Sequence, residues 1–154
     1  MKKAIGLVGM GLFFVSMVFV GCASMTPGQK TIVTKDTLPT LKGTWSGWTR
    51  FSSVMSSSVL TTLVIDNDTV PLQGKITLEN LPGPVAFLFP ADFVSAGNSA
   101  TVNFRNARIS SEGTVVGTSG ENFYELTLYT GEKLKMKGWF YYYGMKGTSE
   151  FTKK

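Results

Sequence analysis

From residue 43 onward the chain alternates apolar and polar side chains with a period of two, which confines it to β-sheet with one buried and one wet face. Leu72, Gly74, Ile76 and Leu78 alternate with Gln73, Lys75, Thr77 and Glu79, and Leu134, Met136, Gly138 and Phe140 alternate with Lys133, Lys135, Lys137 and Trp139. Val59 to Ile65 and Phe123 to Thr130 are rich in β-branched and aromatic residues. Turn-forming residues stand between the runs: Asp66-Asn67-Asp68, Pro82-Gly83-Pro84, Ala96-Gly97-Asn98, Ser119-Gly120, Thr130-Gly131 and Tyr143-Gly144. The pattern predicts strands near 43–51, 57–66, 71–80, 84–89, 100–109, 114–117, 121–130, 133–143 and 146–152, and no long helix.

So many short strands joined by hairpin-length turns predict an all-β fold, a small antiparallel up-and-down β-barrel of about eight strands, because closure removes exposed sheet edges. Gly74 and Gly138 fall mid-strand on the apolar face, where a missing side chain lets a sheet bend sharply or leaves room inside. With 154 residues, 43% apolar and 16% charged, one folded domain is expected. Asp66-Asn67-Asp68 reads as hairpin chemistry, since a calcium loop spaces more ligands over a longer stretch.

The absence of His and the single Cys remove most zinc sites, most catalytic triads and any internal disulfide. No Gly-x-Ser-x-Gly elbow or phosphate-binding loop occurs, so no enzyme, metal or cofactor is expected; a hydrolase using carboxylates such as Asp92 or Glu125 would need two acids in one cleft. The net charge of +5, which falls to +3 once the two N-terminal lysines are removed, is too small for a nucleic-acid footprint, since Lys and Arg are scattered among ten carboxylates.

Lys2 and Lys3 precede an uncharged apolar run, Ala4 to Val20, in the pattern of a secretory signal. Phe19-Val20-Gly21-Cys22 resembles the bacterial lipobox, with Phe19 standing where that family usually has Leu. The resemblance implies cleavage before Cys22, whose sulfur carries a diacylglyceryl group with acyl chains of the palmitate type that tether the protein to a membrane without spanning it. Removal of residues 1–21 takes two of the 15 basic residues and none of the ten acidic ones, leaving net +3. With Ala23 after the Cys instead of Asp, the same resemblance implies, for enteric-type bacteria, sorting to the outer membrane, facing the periplasm, rather than retention at the inner one. The expected organisation is a signal peptide over 1–21, a lipidated N-terminus and spacer over 22–41, and a barrel domain over 42–154. Thr31 to Thr34 offers a short edge strand within the spacer.

Leu41-Lys42-Gly43-Thr44-Trp45 resembles the Gly-x-Trp start of the first strand in lipocalins and avidin-like proteins, whose Trp plugs one barrel end, and Glu150-Phe151-Thr152-Lys153 resembles the avidin-type last strand. The calycin-type resemblance implies a structural Trp45 at the barrel floor. Lipocalins tend to set a late Arg against that Trp, and here only Lys153 and Lys154 occur late. The Trp residues that line an avidin biotin pocket have no counterpart, so biotin binding is not implied.

The expected function is a lipid-anchored envelope barrel that binds a small apolar or amphiphilic ligand, with Phe51, Leu63, Ile76, Phe104, Leu126, Met136, Phe140 and Tyr142 as candidate contacts. The alternative is a barrel filled by its own side chains that docks onto an envelope partner through an outer face. Trp139, Tyr141 and Tyr143 are the candidates for that face, beside Lys133, Lys135 and Lys137. Pro84 to Pro90 is uniformly apolar between prolines and reads as a buried strand or a flap over the barrel mouth.

Overall fold

The computed structural model describes residues 28–52, 58–86, 89–90, 94–95, 97–119 and 122–154. The alternating runs become strands β2 (Gly43–Phe51), β3 (Ser58–Ile65), β4 (Leu72–Leu78), β6 (Ser99–Ile109), β7 (Val115–Ser119), β8 (Asn122–Thr130), β9 (Lys135–Tyr142) and β10 (Met145–Lys153). Each pairs antiparallel with its neighbour in that order, β10 returns to β2, and the eight form a closed ring. Two short strands lie outside the ring: β1 (Gln29–Thr31) on β8, and β5 (Val94–Ser95) on β6. The barrel expected from the alternation is therefore present.

Closure brings neighbouring strands close together, and Gly74 and Gly138 stand at two of the points of close approach. A Cβ on Gly74 would collide with the backbone carbonyl of Val64, and one on Gly138 with that of Glu125, so each neighbouring strand approaches through space that any side chain would fill. Gly138 lies on the β8–β9 ladder opposite Leu126. Asn67 shapes the β3–β4 turn: its Nδ2 donates to the Thr69 and Pro71 carbonyls at 2.8 and 3.0 Å, and its Oδ1 accepts from the Gln73 amide at 2.7 Å.

One barrel end, the floor, holds the β3–β4, β6–β7 and β8–β9 turns and the chain's entry into β2. Here α1 (Leu38–Leu41) buries Leu38 and Leu41, and Trp45 is fully enclosed beside it. The Trp45 indole N–H donates to the Leu41 carbonyl at 2.8 Å. Lys153 stands with its Nζ 5.7 Å from the Trp45 ring centroid and donates to the Thr40 carbonyl at 2.5 Å, so the late cation is a lysine that also ties down α1. Trp45 thus occupies the floor position that the sequence resemblance implied.

Two expectations are corrected. The strand expected over 84–89 does not begin as one: α2 (Gly83–Ala86) is a single helical turn, with the Val85 and Ala86 amides both donating to the Pro82 carbonyl at 2.9 Å. Pro84 falls in the first helical turn, where its missing N–H has no helical partner to lose. Val85, Ala86 and Phe89 are buried in the core at the mouth end, and residues 87–88 lie outside the described residues. Residues 29–41 do not form a free spacer either. β1 takes up the edge of β8 beyond the stretch held by β7, pairing Gln29 with Thr130 and Thr31 with Leu128. Its strand therefore falls upstream of Thr34, and Val33 follows it into the core, with its amide on the Gly113 carbonyl at 3.0 Å.

Gly138→Val is expected to lower stability by about 2 kcal/mol or more, because the barrel cannot relax a backbone collision as it can a side-chain one, which is a fall of roughly 8 °C in a thermal melt. Gly131→Ala, where the nearest atom to a new Cβ is the Gly28 Cα at 3.5 Å, is expected to change stability by less than ~0.5 kcal/mol.

Candidate functional site

The barrel's interior and its outer wall are surfaces that could meet another molecule. Strand alternation sends the eight expected ligand contacts to one inward face. Phe51, Leu63, Ile76, Phe104, Leu126, Met136, Phe140 and Tyr142 join a single core cluster and none is more than 4% exposed. Their rings pack against each other: Phe51 meets Phe140 edge-on at 5.2 Å, and Phe140 stacks on Tyr142 at 4.8 Å.

Glycines placed opposite these rings decide how the space is used. Gly117, Tyr124, Phe140, Gly147 and Phe51 are successive cross-strand partners on β7, β8, β9, β10 and β2. Each glycine in this row stands beside an aromatic residue. The Phe140 ring carbon Cζ lies 2.5 Å from where a Cβ on Gly147 would be, and the Tyr124 ring covers Gly117. Phe104 covers Gly74 in the same way, its Cζ 2.7 Å from the absent Cβ. The room left by the glycines is taken by aromatic rings from the facing strand.

Two polar atoms inside this packing have no partner. The Tyr124 and Tyr142 hydroxyls are buried, and neither makes a hydrogen bond. Burial raises both phenol pKa values well above the usual tyrosine value of 10, and for Tyr124 the nearby Tyr142 adds to the rise.

The outer wall across β9, β10 and β2 is different. Trp48, Trp139 and Tyr141 are 56%, 38% and 40% exposed. Trp139 packs on Phe123 at 4.8 Å, and the Lys146 Nζ lies 5.5 Å above the Trp139 ring. Glu150 pairs with Lys137 at 3.0 Å and Lys135 at 3.4 Å. The hydrogen bond from Lys137 holds the Glu150 carboxyl below its ordinary range, with Lys135 adding to the effect. An open concavity of about 890 Å³ runs over this wall, bordered by Trp48, Arg50, Lys137, Thr148 and Glu150.

Of the three residues expected on the outer face, Trp139 and Tyr141 are there and Tyr143 is not. Tyr143 leaves β9 for the turn at a positive φ of 46°, gives its amide to the buried Asn122 side chain at 3.1 Å and meets Phe89 edge-on at 5.7 Å. Trp48 was not singled out from the sequence, although its odd spacing from Trp45 on one strand already sends the two to opposite faces. Glu125 lies on the outer wall and accepts from the Thr114 hydroxyl at 3.5 Å, while Asp92 and Cys22 lie outside the described residues. Among the described residues no three His, Cys, Asp or Glu side chains gather as a metal site. Scans against protein-family models, curated proteins and solved structures find no match to this chain.

Tyr142→Phe removes an unpartnered buried hydroxyl while keeping the ring, so it is expected to leave stability unchanged or raise it by up to ~1 kcal/mol in chemical denaturation. A loss larger than that would mean the hydroxyl has a partner. The raised phenol values also fix a sign: stability is level below pH ~10, and falls as pH rises beyond it because the unfolded tyrosines ionise first. The double variant Tyr124→Phe/Tyr142→Phe should flatten that alkaline decline in a pH series of melts.

Proposed function

We propose that this chain is a lipid-anchored protein of the bacterial envelope, held by acyl chains on Cys22, whose filled barrel works as a rigid scaffold for an interaction surface on its outer wall. The reading involves no catalytic step and no cofactor. It takes the second of the two functions open from the sequence over the carrier.

The observation that carries it is the contrast between the two faces of the same strands. On the inward face, rings from one strand occupy the space over glycines of the next, and every candidate ligand contact is enclosed by other side chains. On the outward face, two tryptophans and a tyrosine stand in water beside lysines. Trp and Tyr are enriched in binding surfaces, and a group of them left exposed with a polar rim marks such a surface. The lipobox-like Phe19-Val20-Gly21-Cys22 and the unpaired Cys support the anchor.

One observation favours the carrier instead: the buried Tyr124 and Tyr142 hydroxyls would suit the polar end of an enclosed ligand. Native mass spectrometry of the protein purified from its own membrane separates the two. The scaffold reading predicts an acyl adduct on Cys22, lost in Cys22→Ala, and no second small molecule. A stoichiometric co-purifying ligand would establish the carrier.

A further inference from the structure

The acylated chain has little freedom to stand away from its membrane. A spacer running from Cys22 to Leu41 would reach on the order of 60 Å, but β1 fastens the chain to the barrel from Gln29 onward. Only the stretch from Cys22 to Gln29 can bridge the gap, and fully extended it spans at most ~25 Å. An eight-residue strand such as β9 is itself ~26 Å long. The barrel is therefore tethered within about its own length of the lipid.

The tether also fixes the strand at which the barrel is held. Gln29 joins the barrel at the floor end of β8, next to Thr130. β8, β9, β10 and β2 run from that point round one side of the ring, and with β1 and β3 at either end their outward positions form consecutive cross-strand rows. Lys30, Tyr129 and Lys135 make one row; Lys137, Glu150, Trp48 and Leu60 the next; Glu125, Trp139, Thr148 and Arg50 the third. All three exposed aromatic side chains among the described residues lie on these strands, and β4 and β6 carry none.

Charge points the same way. Lys30, Arg50, Lys135, Lys137 and Lys146 face outward here against Glu125 and Glu150, so this wall is net positive. Lys135 and Lys137 are held by Glu150 in exposed ion pairs, which are weak and readily exchanged for other anions. Arg50 has no carboxylate partner among the described residues. Trp and Tyr favour the depth of lipid headgroups, and lysines beside them are attracted to anionic phosphates.

We propose that the β8–β9–β10–β2 wall is a membrane-docking face: Trp48, Trp139 and Tyr141 sit at headgroup depth while Lys137, Lys146 and Arg50 contact anionic phospholipid of the bilayer that holds the Cys22 acyl chains. This deepens the preceding reading and rests on it, since the short tether matters only if Cys22 is acylated.

The three tryptophans make the test direct, because Trp45 is enclosed whereas Trp48 and Trp139 are not. The mature protein, its acyl mass first verified, is reconstituted into phosphatidylcholine vesicles with and without phosphatidylglycerol, using lipids brominated along their acyl chains as quenchers. Emission from Trp48 and Trp139, resolved with Trp48→Phe and Trp139→Phe, should be lost in the anionic vesicles, while Trp45 keeps its emission and reports an intact fold. Lys137→Glu/Lys146→Glu should recover most of the lost emission. Acylated protein whose exposed tryptophans are unquenched, or equally quenched without phosphatidylglycerol, overturns the proposal and leaves the scaffold reading standing. So does crosslinking from Trp139 that captures an envelope protein in place of lipid. Protein that carries no acyl chain overturns both readings.

Discussion

The close approach of neighbouring strands at Gly74 and Gly138 is the constraint on which the rest of the molecule depends. A strand that carried side chains at those points would be held off by a backbone carbonyl, of Val64 in one case and Glu125 in the other, and the sheet would flatten. Curvature at Gly138 falls on the ladder between β8 and β9, one of the seams around the ring. With the ring closed, each of its eight strands has a hydrogen-bonded neighbour on both sides.

The same economy of side chains explains why the interior is packed. Bending the sheet with glycine creates hollows, and the facing strand fills them with Phe104, Tyr124 and Phe140. The floor is shut by Trp45, α1 and Lys153, and the mouth end is overlaid by Leu81, Val85 and Phe89. A barrel packed in this way is stiff, and its outward positions are held in fixed register. That rigidity spreads Trp48, Trp139, Lys137 and Lys146 across one wall at set distances. The proposed function follows from this division between a packed inside and an aromatic, basic outside.

Much of the fold was legible because a two-residue period leaves little choice. The runs around Leu72 and Met136 gave β4 and β9, and Trp45 reached the floor position implied by its Gly-x-Trp setting. What escaped was set by partners distant in sequence or by local turn chemistry. Gln29–Thr31 has no periodic pattern, and it becomes a strand only because β8, about a hundred residues away, offers a free edge. Pro82 precedes and Pro84 lies within a helical turn that the apolar content of the segment disguises as a strand. The filled interior depends on register, which sets Phe140 opposite Gly147; alternation alone ordered the faces without revealing that match. Tyr143 left its expected face because the chain turns at that residue, one step beyond the end of β9.

The central claim is that the sheet meets itself, and cross-strand proton contacts measured by nuclear magnetic resonance test it most directly. A ring requires contacts at every seam at once, including Gly138 with Leu126 across β8–β9 and Gly47 with Phe151 across β2–β10. Observing both sets in one monomeric species is the expected result. Finding either seam empty while the other ladders persist would show an open sheet or two stacked ones, and would contradict the account.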